Sequence, residues 1–186
     1  MFIQTESTPN PNSLKFLLDL DIDNKSYEFS SLEDCNGSEL AKLLFQISGV
    51  EKVFFGQNFI SINKKNYDWD QLKAPILTII SDFMSSGKRV INNNDQFNKI
   101  DNIEFDKKDK NTVDQICEVL NAKVKPAVAK DGGDVDFRKF KDGVVYLDLQ
   151  GSCAGCPSSS ITLKNGIENL LKHYVRDVVG VEQYNV

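Results

Sequence analysis

Several features that define large classes of proteins are missing from this 186-residue sequence. No apolar run approaches the roughly 20 residues needed to cross a bilayer. Residues 1–4 lack the basic start and apolar block of a secretion signal. The 22 basic and 27 acidic residues give a net charge of −5, and no stretch concentrates Lys or Arg enough to follow a row of phosphates. We therefore expect a soluble chain that is not exported, with neither a membrane nor a nucleic acid as partner.

Cysteine and histidine are also scarce, with four of the first and one of the second. In a reducing compartment, closely spaced cysteines favour metal or redox chemistry over a structural disulfide. Cys35 is isolated and is predicted to be structural or incidental. Cys117 lies on an apolar helical stripe that begins at Val113 and is predicted to be in the core. Cys153 and Cys156 remain as the candidate functional pair.

A polar segment divides the chain. Residues 91–110 are rich in Asn, Asp and Lys with only scattered apolar residues, so this segment is predicted to be a linker. It separates an N-terminal domain, residues 1–90, from a C-terminal domain, residues 111–186. Strands and helices are predicted in both, which gives an α+β fold class with two small α/β sandwich-like domains joined by a polar linker.

The N-terminal domain is predicted to contain two strand pairs and two helices. Its strands are expected at 2–5, 14–18, 50–55 and 59–62, and its helices at 38–47 and about 70–85. Phe54 and Phe55 are neighbours on one strand and therefore point to opposite faces. We expect one ring in the core, and the other is a candidate contact surface if it is exposed.

The C-terminal domain is predicted to begin with a helix that kinks at Pro126. Strands at 135–140 and 144–149 follow, then a helix from about 157 to 174 and a last strand within 177–183. Gly132 and Gly133 are predicted to form the turn between helix and strand. They are not a phosphate loop, because neither a third glycine nor a Gly-Lys-Ser sequence accompanies them.

The Cys-x-x-Cys motif at 153–156 can direct two sulfurs at one metal centre, because the intervening Ala and Gly are small. Pro157 is suited to the first helical position, which places a helix N-terminus beside Cys156. That position favours a thiolate and a negatively charged cluster. Small residues on both sides, such as Gly151 and Ser158, lead us to expect accessible sulfurs.

Two sulfurs are too few for one metal centre. A cubane cluster or a tetrahedral zinc takes about four strong ligands. His173 cannot supply one, because it lies 16 residues beyond Pro157 on the same predicted helix, about 24 Å away at the rise of an α-helix. It is predicted to be a helix C-terminal residue instead. The simplest source of the missing ligands is the same motif of a second subunit, related by a two-fold axis.

Two other functions compete with a cluster. A dithiol oxidoreductase also uses Cys-x-x-Cys at a helix start, but only 30 residues follow Cys156 and none after Pro157 is a proline, as a thioredoxin-type fold would need. A zinc ion bridging two subunits would accept four thiolates equally well. Colour separates these hypotheses, since only a cluster makes the protein brown.

The motifs resemble the NifU-type (Nfu) iron–sulfur carriers over nearly the whole chain. The family's C-terminal cluster-binding domain is similar to this sequence at residues 131–135, 144–149, 151–159 and 162–168. The family's N-terminal domain is similar to it at residues 2–16 and 53–56. Asn58, where a carboxylate is expected, is a minor departure.

The resemblance implies a [4Fe-4S] cluster that bridges two subunits through Cys153 and Cys156 of each. It implies a homodimer when loaded, upstream cluster-assembly proteins as donors and apo iron–sulfur proteins as recipients. The N-terminal domain would carry no cluster, and we expect it to tune partner choice, dimer geometry or cluster release. No acid, base or nucleophile set is visible beyond the two thiols, so we expect a carrier and not an enzyme. The setting is expected to be a bacterial cytoplasm, with an organelle matrix as the alternative.

Overall fold

The structure is a computed structural model that describes residues 2–19, 22, 25–92, 103–154 and 157–184, with the backbone alone at 157–160. The chain divides into two compact units, Met1–Lys99 and Ile100–Val186. Both contain helices and strands, which confirms the predicted α+β class. None of the described helices is long and apolar enough to cross a membrane.

Five strands lie in the described part of unit 1, in the order β1-β2-β5-β4-β3. They are β1 (Gln4–Ser7), β2 (Ser13–Leu17), β3 (Tyr27–Phe29), β4 (Val50–Phe55) and β5 (Phe59–Lys64). All four neighbouring pairs are antiparallel. The two predicted strand pairs are confirmed as the β1–β2 and β4–β5 hairpins.

Two helices of unit 1 pack into one core with alternate residues of these strands. Helix α1 (Glu39–Phe45) begins after Ser38, whose hydroxyl accepts a hydrogen bond from the Ala41 amide at 3.2 Å. Helix α2 (Trp69–Ser85) begins after Asp68 in a capping box, close to its predicted bounds. The fully buried members of the core include Phe16, Phe29, Leu40, Leu44, Ile60, Ile62, Ile76 and Ile80.

Unit 1 differs from the prediction at two points. Strand β3 was not predicted, because Tyr27 and Phe29 give only one alternation of apolar residues, too short a pattern to recognise. Phe54 and Phe55 are both buried, so neither offers an exposed ring. Phe55 contacts Phe29 edge-on in the core, and Phe54 contacts Phe59, with ring centroids 5.8 Å apart, on the opposite face.

Unit 2 has a smaller sheet in the order β6-β7-β8. Along the chain, the described helices and strands of unit 2 are α3 (Lys110–Val119), α4 (Lys125–Lys130), β6 (Gly133–Lys141), β7 (Val144–Gly151), α5 (Pro157–Tyr174) and β8 (Gly180–Gln183). Strands β6 and β7 form an antiparallel hairpin, whereas β8 returns parallel to β7 after α5. The predicted kink before Pro126 is present as a π-helical turn, Leu120–Val124, between α3 and α4.

One core fills unit 2. Val145, Leu147 and Leu149 alternate on the buried face of β7, as predicted. They pack with apolar side chains of every other element of the unit, among them Ile116, Leu120, Val128, Val135, Ile167, Leu171 and Val181. The core therefore fixes where β7 ends, and with it the start of the motif loop.

The structure also assigns part of the predicted linker to unit 2. The Glu104 amide donates to the Arg138 carbonyl and the Phe140 amide donates to the Glu104 carbonyl, both at 2.9 Å. The Lys139 ammonium lies 2.6 Å from the Glu104 carboxylate. Unit 2 thus begins before residue 111, although polar composition suggested otherwise. Residues 93–102 of the linker lie outside the described residues.

Candidate metal centre

The Cys-x-x-Cys motif lies where β7 ends and α5 begins. Strand β7 ends at Gly151, Cys153 lies in the turn that follows, and α5 begins at Pro157 as predicted. Because α5 joins two parallel strands, the loop stands at a strand carboxyl end beside a helix N-terminus, where α/β units commonly bind ligands. Cys156 lies outside the described residues, so the place of its sulfur stays a prediction.

Ser152 fastens this loop to the turn between α4 and β6. Its hydroxyl donates a close hydrogen bond to the Asp131 carbonyl, and its amide donates to the Gly132 carbonyl at 3.1 Å. Ser152 is 2% exposed, so water does not compete for either bond. The Ala154 amide donates to the Gly151 carbonyl at 3.2 Å, which closes the turn around Cys153.

The Cys153 side chain packs against the backbone of Gly133, a contact that we call the seat. It pairs with Gly151 at the end of the β6–β7 ladder. A Cβ atom at position 133 would lie 2.8 Å from the Cys153 Sγ atom and 2.6 Å from the Gln150 carbonyl oxygen. Gly132 has a φ of +82°, which confirms the predicted turn. The seat itself was missed, because no sequence signal places Gly133 against a cysteine twenty residues away.

Cys153 is less accessible than the sequence predicts. Cys153 is 5% exposed and Ala154 is 8% exposed. The small residues around the motif predict open sulfurs. In the structure Gly151 and Ser152 instead allow the loop to pack closely on the glycine turn, because neither has a bulky side chain that would hold the backbones apart. Cys153 therefore has a fixed position within a single subunit.

The other two described cysteines are poor ligand candidates. Cys35 lies in unit 1, is buried, and its Sγ donates to the Ser31 carbonyl at 3.2 Å. Burial, with a smaller contribution from Asp34, raises the pKa of Cys35 to about 11. Burial and then Asp114 likewise raise the pKa of the half-buried Cys117. Both thiols therefore resist conversion to thiolate. Cys35 lies in the core of unit 1, whereas Cys117, predicted to be in the core, is only half-buried and packs against the core of unit 2.

Within the described ranges, no group of three or more His, Cys, Asp and Glu side chains is placed to hold a metal ion. His173 is in the last turn of α5, as predicted, with its ring edge-on to Tyr174. It lies at the far end of the helix from the motif.

A polar network borders the motif and was not predicted. Lys125 lies 2.8 Å from the Asp136 carboxylate, and the Gln150 side-chain amide donates to the other oxygen of Asp136 at 3.2 Å. Arg138 pairs with Asp148 at 3.0 Å on the same strand pair. Burial alone would lower the pKa of Lys125, but hydrogen bonding and charge from the neighbouring aspartates outweigh it and raise that pKa. The network holds Gln150, and so the strand end that leads into the loop, to β6 and α4.

Comparison with known proteins gives consistent matches for both units. Residues 3–87 match the family model described as "Scaffold protein Nfu/NifU N terminal", and residues 116–182 match the "NifU-like domain". A Drosophila willistoni protein named "NFU1 iron-sulfur cluster scaffold homolog, mitochondrial" is 44% identical over 98% of this chain. The human protein of the same name is 45% identical over 98%. The chain spans 63% of the length of the fly protein and 72% of the human one.

Among solved structures, the solution NMR structure of a NifU-like protein from Saccharomyces cerevisiae is 31% identical, with a TM-score of 0.46. The alignment covers 50% of this chain and 87% of that one. The two family models match the chain in the order of its two units. The chain is also 45% identical to the human relative, of which it covers 72%. The chain belongs to the Nfu/NifU family.

Proposed function

We propose that this chain is an iron–sulfur cluster scaffold and carrier. It holds a [4Fe-4S] cluster between two subunits through Cys153 and Cys156 of each, and passes it to apo iron–sulfur proteins. Upstream cluster-assembly proteins supply the cargo. The names of the fly and human relatives support the scaffold role. The [4Fe-4S] type, the bridging and the transfer are our own inference.

One observation carries the proposal: the anchored position of Cys153 between the end of β7 and the start of α5. Two backbone turns and the Ser152 hydrogen bonds fix the position of Cys153. Helix α5 begins at Pro157, and a helix N-terminus offers backbone amides and the positive end of the helix dipole, which stabilise an anionic cluster. Two motif sulfurs per chain are half of what a cubane takes, so loading and dimerisation are expected to occur together.

The chain's contribution is to bind and release cargo, so we propose a carrier and not an enzyme. Its partners are proteins, and no role for nucleic acid is proposed. Unit 1, whose one cysteine is buried, is proposed to tune partner choice, dimer geometry or release. The mitochondrial names of the relatives support an organelle matrix over the bacterial cytoplasm predicted from the sequence.

The test is anaerobic reconstitution of the full chain, followed by iron and sulfide analysis and by mass in solution. We expect brown protein with about four irons and four sulfides per pair of chains. Cys153→Ser and Cys156→Ser should each abolish the stable cluster. Cys35→Ser and Cys117→Ser are matched controls and should keep the full iron content.

Four results would contradict the proposal. Loss of iron from the Cys35→Ser variant would move the site to unit 1. A fully loaded single chain would remove the argument from ligand count. Colourless protein that holds zinc at half a molar equivalent would favour the zinc-bridged alternative, and metal-free protein that cycles a disulfide would favour the oxidoreductase.

A further inference from the structure

An apolar groove of about 220 Å³ lies in unit 2 between the first half of α5 and strands β7 and β8. Its interior is formed by Leu149, Ile167 and Val181, which are 7%, 3% and 2% exposed. Two of its lining residues are close to the motif along the chain: Leu149 precedes Cys153 by four residues and Ile161 follows Cys156 by five. The strand and the helix that flank the motif loop thus also line the groove.

Ile161 is an exposed apolar side chain at the rim of this groove. It is 63% exposed, the most of the large apolar side chains in the described part of unit 2. An apolar projection beside an apolar recess is self-complementary, because a two-fold axis between them brings each projection to the other copy's recess. A chain that carries both halves of such a contact favours its own copy over an unrelated peptide.

The charges at the rim have the same self-complementary character. Lys164 and Glu182 both line the groove, and their charged atoms lie 2.9 Å apart. In a two-fold contact whose axis passes between these two side chains, each charge faces its opposite on the other copy. Neither is left buried and unpaired, which would otherwise oppose association.

We propose that the groove is occupied by a second copy of this chain. Ile161 of each subunit enters the groove of the other, and Lys164 pairs with Glu182 of the partner subunit. The axis that relates the two copies also passes through the shared cluster. This inference rests on the proposed function, because a bridging cluster is what holds the two motif loops, and the grooves beside them, face to face.

The first test replaces Ile161 with a charge. The full chain is loaded without oxygen and diluted, and the mass in solution and the visible absorbance are followed together. Ile161→Glu should raise the concentration needed to keep the loaded dimer by at least about tenfold, because a carboxylate would be buried in each groove. Val179→Glu is the matched control: Val179 is 62% exposed but lies against the Gly143 turn, at the other end of β8. It should dimerise like the unmodified chain.

The second test separates pairing between subunits from pairing within one. Lys164→Glu and Glu182→Lys should each weaken the loaded dimer, because each places like charges together. Mixing the two variants should restore the loaded dimer. In the mixed dimer residue 164 of each chain faces an opposite charge at residue 182 of the other, whereas residues 164 and 182 within each chain still carry like charges. This mixing experiment does not depend on whether the Ile161 variant folds normally.

Dimerisation of Ile161→Glu at the unmodified concentration would overturn the inference, and so would a failure of the mixed charge variants to recover. If the Ile161 variant dimerised normally but delivered its cluster to an apo-protein more slowly, the groove would serve the recipient and the inference would again be wrong. These outcomes leave the carrier function intact. Failure of the unmodified chain to take up iron and sulfide would instead refute the proposed function.

Discussion

Replacing Gly133 with alanine adds one methyl group at a confined point of the candidate site. The new carbon would lie 2.6 Å from the Gln150 carbonyl oxygen and 2.8 Å from the Cys153 sulfur. Both distances are well inside van der Waals contact, so something must move. The carbonyl belongs to the β6–β7 ladder and is not free to rotate away, which leaves displacement of Cys153 or separation of the strand ends.

The expected cost follows from this overpacking. Adding a methyl group to a closely packed site costs about 1–3 kcal/mol in the free energy of unfolding. In a domain of this size each kcal/mol lowers Tm by about 4–8 °C. We therefore expect the Tm of unit 2 to fall by at least about 4 °C. The Cys153 thiol should also react faster, because either movement opens the buried contact between Cys153 and Gly133.

Calorimetry of the metal-free full chain measures the first effect, and thiol labelling read out by peptide mass measures the second. Gly166→Ala is the control within the same unit. Gly166 is inside α5 and nothing lies within 4 Å of an added Cβ, so this variant should gain about 0.5–1 kcal/mol. If Gly133→Ala kept the unmodified Tm and the unmodified labelling rate of Cys153, the seat described above would be refuted.

Three further predictions concern separate contacts. Ser152→Ala removes the hydroxyl that joins the loop to the end of α4, so the free energy of unfolding of unit 2 should fall by about 1 kcal/mol and Cys153 should label faster; an unchanged Tm and labelling rate would contradict this contact. The fold raises the pKa of Cys35 from its ordinary 9.0 to about 11. Between these pH values the unfolded chain loses the thiol proton while the folded chain keeps it, so the free energy of unfolding of unit 1 should fall between pH 9 and pH 11. Over that pH range the Tm of Cys35→Ser should fall less steeply than the Tm of the unmodified chain. Equal slopes of Tm against pH would contradict this prediction. The Glu168 carboxylate accepts from the Val181 amide at 3.1 Å, so Glu168→Ala should speed hydrogen exchange at that amide, and unchanged exchange would count against the contact.

Features that depend on neighbouring residues were already determined by the sequence. Capping residues and apolar spacing placed α2 and α5 within a residue or two of their observed bounds, and alternation identified the buried face of β7. Pro126 correctly marked a break in the first helix of unit 2. The position of the motif between a strand and a helix also followed from the sequence, because each of these signals acts over only a few residues.

Tertiary structure alone decided which distant residues meet. It placed Gly133 against Cys153, joined Ser152 to the end of α4, and paired Glu104 with β6. It also buried a sulfur that small neighbours had suggested would be open. The reason is that spacing along a chain specifies the face of a helix or strand on which a side chain lies, whereas its contacts across the fold depend on how sheets and helices pack together.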